Sequence, residues 1–130
     1  MNRHLVTFLI VAACSMLAAG AVSAHHGVAG YGAGNPQKIT GVVTEFEFIN
    51  PHAIIHLDVK DEQGKVVNWQ GEMTSPNHLV RAGIPWTKDT LKPGDQITMI
   101  GLVAKNGSPS MRVQKVLRAN GEEIKQGEDN

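Results

Sequence analysis

The side chains of this sequence best equipped for chemistry are its six histidines, and their spacing bounds what they can do. His52 and His56 stand four apart in the stretch NPHAIIHLDV. On a helix, residues four apart sit about 6 Å from one another, and two imidazoles can grip one ion. On a strand, the same four steps separate the Cα atoms by about 13 Å. Nitrogens bound to one zinc or copper ion lie only about 4 Å apart, because each metal–nitrogen bond is about 2 Å. The stretch alternates as a strand does, so His52 and His56 are not expected to chelate one ion as a pair. The plainer account makes His52 a structural turn residue and His56 part of a solvated cross-strand row.

His25 and His26 carry a sharper metal signal. A chain that begins at His25 offers its α-amine and its imidazole to one metal, closing a chelate ring. Among divalent ions, an all-nitrogen site suits Cu(II) best. The copper-binding tail that needs His at position three is absent, because Gly27 stands there. The competing account is that the pair simply follows a cleavage site. The glycine-rich segment behind it spans up to roughly 40 Å when extended, so it can bring His25 to His52, His56 or His78. His78 itself is expected on the surface of a short helix.

Other chemistry is thin. The chain has no G-x-S-x-G elbow, phosphate loop, zinc-type cysteine pair or haem motif. Glu45, Glu47 and Glu72 can share one face of a sheet, where carboxylates are usually just solvated. Phe46, Phe48 and Trp69 read as core, and Trp86 as the exposed aromatic.

A free terminal histidine requires removal of a leader. Arg3 precedes the apolar run LVTFLIVAACSMLAAGAV, which ends in VSA with Val22 and Ala24 at the −3 and −1 positions of a secretory cleavage site. VAAC, ending at Cys14, resembles a lipoprotein box, but the run stays apolar beyond it, which argues against a lipid anchor there. The run is also short for a membrane anchor. Cutting 24 residues from 130 leaves 106, and removing Arg3 from 12 basic side chains leaves 11 against 12 acidic ones, a net charge of −1 with histidine neutral. The only cysteine goes with the leader, so the mature chain has neither a disulfide nor a thiolate. About 100 residues suffice for one domain with its own core. The balanced charge argues against nucleic-acid binding, which needs a basic stripe.

The elements that must position these groups are strands. HHGVAGYGAGNPQ (25–37) has no apolar periodicity and reads as a flexible lead. KITGVVTEFEF alternates, with Val42, Phe46 and Phe48 on one side and Val43, Glu45 and Glu47 on the other. INPH is a turn. AIIHLDVK then puts Ala53, Ile55, Leu57 and Val59 opposite His52, Ile54, His56 and Asp58. After DEQG, KVVNWQGEM sets Val67, Trp69 and Met73 opposite Asn68, Gln70 and Glu72. Ser75, Pro76 and Gly83 punctuate a short helix. QITMIGLVA and MRVQKVLRA are two further strands around the loop KNGSPS, and residues 120–130 read as a polar tail that can turn back at Asn120-Gly121. The predicted divisions are a leader over 1–24, a lead over 25–37, a domain over 38–119 and the tail.

Three strands, a helix and two strands is the chain order of a five-stranded OB-like Greek-key barrel. Gly41 and Gly101 suit the bends of its first and fourth strands. Pairing Phe48 with Ala53, and Leu57 with Trp69, predicts an outer row of Glu45, His56 and Gln70.

HHG after the cleavage site, GVVTEFEFINPHAIIHLDVKDEQGKVVNW, SPNHLVRAG and TKDTLKPGDQITMIG together resemble a family of small exported Gram-negative bacterial proteins known as a domain of unknown function. The resemblance covers nearly the whole mature chain and implies an exported OB-like all-β protein, with no activity attached. Many members carry Trp in the stretch where this chain has Phe48 and Ile54.

The expected function is that of a non-enzymatic periplasmic binding or interaction module, with no certain cofactor. Its candidate ligand residues are Asn50, His52, Trp86, Lys105 and Asn106, because in such barrels the first hairpin turn and the loop between strands four and five often border the ligand. The alternative is a periplasmic copper binder using His25 and His26 with His52 or His56. Partners are then a small ligand, a metal ion or a periplasmic protein, with neither nucleic acid nor membrane. An enzyme is the third choice, since no nucleophile–base pair is visible.

Overall fold

The computed structural model describes residues 30–126. The leader, Cys14, His25, His26 and the last four residues lie outside that range. The elements are β1 (Gln37–Glu47), β2 (Ile54–Lys60), β3 (Val66–Glu72), α1 (Pro76–Arg81), β4 (Gln96–Val103), β5 (Ser110–Arg118) and β6 (Glu123–Ile124). No described helix is long and apolar enough to cross a membrane.

The turn-separated runs pair as an antiparallel meander of β1, β2 and β3, and β1 also pairs with β4, which pairs with β5. A parallel pairing of β3 with β5 closes the circuit into a five-stranded, mixed, OB-like barrel. Helix α1 sits between β3 and β4 as expected. The Ser75 hydroxyl accepts the His78 N–H, Pro76 occupies the first turn, and Gly83 follows the helix at a φ of 68°. Leu79 is the helix residue that enters the core.

The barrel lining is aliphatic. Ile55, Leu57, Ile97, Met99, Met111 and Val116 are buried, and Trp69 packs against them half-buried. Gly101 lies at a register shift between β4 and β5, where a Cβ would run into the Arg112 carbonyl. Only hydrogen fits there.

Two sequence expectations fail. Alternation through Phe46 and Phe48 places Val42 inside and Val43 outside, but Val43 is 1% exposed and Val42 43%. Between Val43, opposite Leu57, and Glu45, opposite His56, the extra residue Thr44 makes a bulge. One inserted residue moves every side chain before it to the other face, while Phe46 and Phe48 still pack on the core.

Trp86 is not an exposed aromatic. It is 2% exposed, its ring centroid lies 5.6 Å from that of Phe46, and its indole N–H donates to the Lys125 carbonyl at 2.8 Å. The carbonyl comes from the segment that reads as a polar tail. That segment turns at Asn120-Gly121 and pairs β6 with β5, Val116 opposite Ile124. A buried indole needs an acceptor, and the returning backbone supplies it.

The glycine-rich lead is also tied down from Gly30 onward. The Gly32 N–H donates to the Val103 carbonyl at 2.9 Å, the Lys105 N–H donates to the Gly30 carbonyl at 3.0 Å, and Tyr31 bridges to Ala104.

Candidate functional site

Three backbone segments meet at one end of the barrel: the turn before β2, the loop from Ala104 to Ser110, and the anchored stretch Gly30–Tyr31. Between them lies a cavity of about 430 Å³, whose walls include Tyr31, Pro51, His52, Glu72, Asn106 and Ser108. The size is that of a small-molecule site.

Glu72, at the end of β3, organises the wall. Its Oε2 accepts the Tyr31 hydroxyl at 2.7 Å. Its Oε1 lies 3.5 Å from His52 Nδ1 and 3.7 Å from an Arg112 guanidinium nitrogen. Arg112 also donates to the Met73 carbonyl at 3.0 Å, and His52 Nδ1 lies 3.2 Å from the same oxygen. Both groups facing Nδ1 are acceptors, so Nδ1 carries a hydrogen. Burial, the bond to Glu72 and the charge of Glu72 push the Tyr31 phenol up to about 12, with Arg112 pulling the other way. The phenol therefore stays a donor.

His52 also lines a neighbouring groove of about 530 Å³ with Asn50, Thr74, Ser75, His78 and Arg81. The Asn50 carboxamide oxygen accepts the Asn77 N–H at 3.3 Å, which ties the turn to α1. Asn50 thus faces the groove and His52 faces both hollows. Asn106 lines the cavity and braces its loop by accepting the Ser108 N–H at 3.0 Å. Lys105 is exposed on the same loop. Trp86 lies in the core and contributes nothing to this surface. His78 is exposed on α1.

His56 is elsewhere. The predicted register holds, with Glu45 opposite His56 and His56 opposite Gln70. Its hydrogen bond, however, runs diagonally to Glu47 Oε1 at 2.6 Å. Glu45, Glu47 and His56 offer ligand atoms within 4.8 Å of one another, but the histidine is already satisfied by a carboxylate. His52 and His56 do not converge on one site.

The sequence reading missed Tyr31, Glu72, Ser108 and Arg112. Tyr31 is the only tyrosine in the chain, and its place in a glycine-rich lead was the one available hint. Glu72 was recognisable as outward-facing, but not as the centre of a network.

A family model described as a family of unknown function (DUF6152) matches residues 12–112. No curated protein matches. Among solved structures, one similar chain comes from a crystal structure of TiaS in complex with an isoleucine tRNA and ATP, at 19% identity and a TM-score of 0.45, over 64% of this chain and 18% of that one.

Proposed function

The chain belongs to the DUF6152 family, whose description assigns no role, and from its site we propose that it is an exported, periplasmic, non-enzymatic binding module that holds a small ligand in the cavity at Tyr31, His52 and Glu72. The observation that carries this reading is the convergence of the first hairpin turn, the Ala104–Ser110 loop and Gly30–Tyr31 on one hollow. Its polar wall is braced before any ligand arrives, since Glu72 is held by Tyr31 and flanked by Arg112 and His52. Preorganised polar groups beside the apolar surfaces of Pro51 and Ile54 are what a small-molecule site requires.

The export half rests on the leader and its cleavage pattern. Expression with the native leader, followed by intact-mass measurement, should return a chain beginning at His25. The binding half is tested by nuclear magnetic resonance of 15N-labelled protein against a library of small polar molecules. Shifts should cluster at Tyr31, His52, Glu72, Asn106 and Ser108. Shifts confined to other surfaces would defeat the reading.

A further inference from the structure

We propose that the groove between the turn before β2 and helix α1 is a second binding site, which takes the phosphoryl group of a small phosphate monoester on Arg81, with His78, Asn77, Thr74 and Asn50 as further donors. It does not rest on the ligand site at Tyr31 and Glu72, with which the groove shares only Pro51 and His52.

The fold builds the groove from two tied segments. The Ala53 N–H donates to the Thr74 carbonyl at 3.2 Å, and the Met73 N–H donates to the Ala53 carbonyl at 2.9 Å, which holds Thr74 beside the turn. The Asn50 carboxamide oxygen accepts the Asn77 N–H at 3.3 Å and fastens the turn to α1. On α1, Arg81 stands three residues from His78 and four from Asn77, spacings that share one helix face. All three line the groove, while Leu79 enters the core.

The charge of the groove is one-sided. None of the residues lining it is acidic. Arg81 brings a permanent positive charge, and among the described residues it has no ion pair and no hydrogen bond. Glu72 lines the neighbouring cavity instead, where Arg112 at 3.7 Å offsets its charge. The side chains of Thr74, Asn77 and His78 also have no hydrogen-bond partner among the described residues. Asn50 keeps its NH₂ free, because only its oxygen is engaged. The backbone of the short helix adds no donor. Pro76 has no N–H, and the N–H groups of Asn77 and His78 are taken by Asn50 and Ser75. Recognition here belongs to side chains.

Unpaired donors around one cation, with no competing carboxylate, suit an oxyanion. The guanidinium fork matches both carboxylate and phosphate. The number of donors decides between them. Five side chains can donate, whereas a carboxylate offers two oxygens and a phosphoryl group three, with more charge. The groove, at about 530 Å³, is larger than one phosphate ion needs and includes the apolar surface of Pro51. It therefore has room for the organic part of an ester.

The test is nuclear magnetic resonance of 15N-labelled protein titrated with phenyl phosphate, inorganic phosphate and benzoate at matched pH and ionic strength. Phenyl phosphate should shift Thr74, Asn77, His78 and Arg81 saturably. Inorganic phosphate should shift the same residues with at least threefold weaker affinity, and benzoate with at least tenfold weaker affinity. Arg81→Gln should weaken phenyl phosphate binding at least tenfold, and Arg81→Lys, which keeps the charge but not the fork, at least threefold. Arg118→Gln removes the same charge from β5 and should bind as the wild type does. Full affinity in Arg81→Gln, or an equal loss in Arg118→Gln, overturns the site. Benzoate or inorganic phosphate binding as tightly as the ester overturns the ligand assignment. Shifts clustered at Tyr31, Glu72 and Asn106 in place of the α1 residues overturn the groove while supporting the cavity, so the two readings fail separately.

Discussion

Tyr31 and Glu72, forty-one residues apart, are joined by a 2.7 Å hydrogen bond from the phenol to the carboxylate. The bond fastens the segment before the barrel to the end of β3 and closes one side of the cavity. It is also directly measurable, because Tyr31 is the only tyrosine in the chain. Absorbance at 295 nm should give one phenol titration with a midpoint near 12 in place of the usual 10, raised chiefly by burial and then by Glu72. The folded-state value lies above the unfolded one, so the stabilisation from this group is complete below pH 10 and is lost as pH climbs through about 12. Glu72→Gln should lower the midpoint while leaving the contribution of burial. A wild-type midpoint at 10 would show that the phenol is not docked.

Trp86 ties the returning segment to the core. Trp86→Phe keeps most of the packing and removes the bond to the Lys125 carbonyl, which should cost about 1 kcal/mol in urea denaturation. Trp86→Ala should cost about 3–5 kcal/mol by opening a cavity beside Phe46. Proteolysis near residue 120 should quicken in both, because the indole anchors β6. Equal stability of wild type and Trp86→Ala would contradict the burial of this ring.

The Glu47–His56 pair is short but lies at the surface, with side-chain exposures of 38% and 15%. Exposed pairs of this kind are worth about 0.2–1 kcal/mol and are screened by salt. Glu47→Gln should therefore reduce stability by about 0.5 kcal/mol at low ionic strength, and less in 1 M salt. A loss above about 2 kcal/mol would mean that the pair is structural in a way its exposure does not explain.

Much of the barrel was legible because strand alternation and turn chemistry are local. The pairings of Glu45 with His56 and of Leu57 with Trp69 follow from short turns joining runs whose apolar faces must match. The bulge at Thr44 was not legible, since a single inserted residue leaves the alternation on either side intact and only exchanges Val42 for Val43. Trp86 escapes a sequence reading because its partner is a backbone carbonyl in a segment whose side chains are polar. The cavity was half visible. His52 and Asn106 sit in a turn and a loop that sequence marks plainly, whereas Tyr31, Glu72 and Arg112 meet only through barrel closure.

Gly101 and Gly107 are glycine for different reasons, and alanine at each separates them. Gly107 has a φ of 78° and open space around its missing Cβ. Its cost is backbone strain alone, so Gly107→Ala should lose about 1 kcal/mol. Because it sits in the loop bearing Asn106 and Ser108, it should also shift their amide resonances. Gly101 does not have a positive φ, yet a Cβ there would strike the Arg112 carbonyl and crowd Val113 Cα, both backbone atoms that no rotamer change can move. Relief requires β4 and β5 to separate at their register shift. Overpacking that must displace backbone costs about 1–3 kcal/mol or more, so Gly101→Ala should be the more damaging of the two in urea denaturation. The reverse order would mean that β4 and β5 do not approach so closely, and that loop conformation outweighs strand contact in closing this barrel.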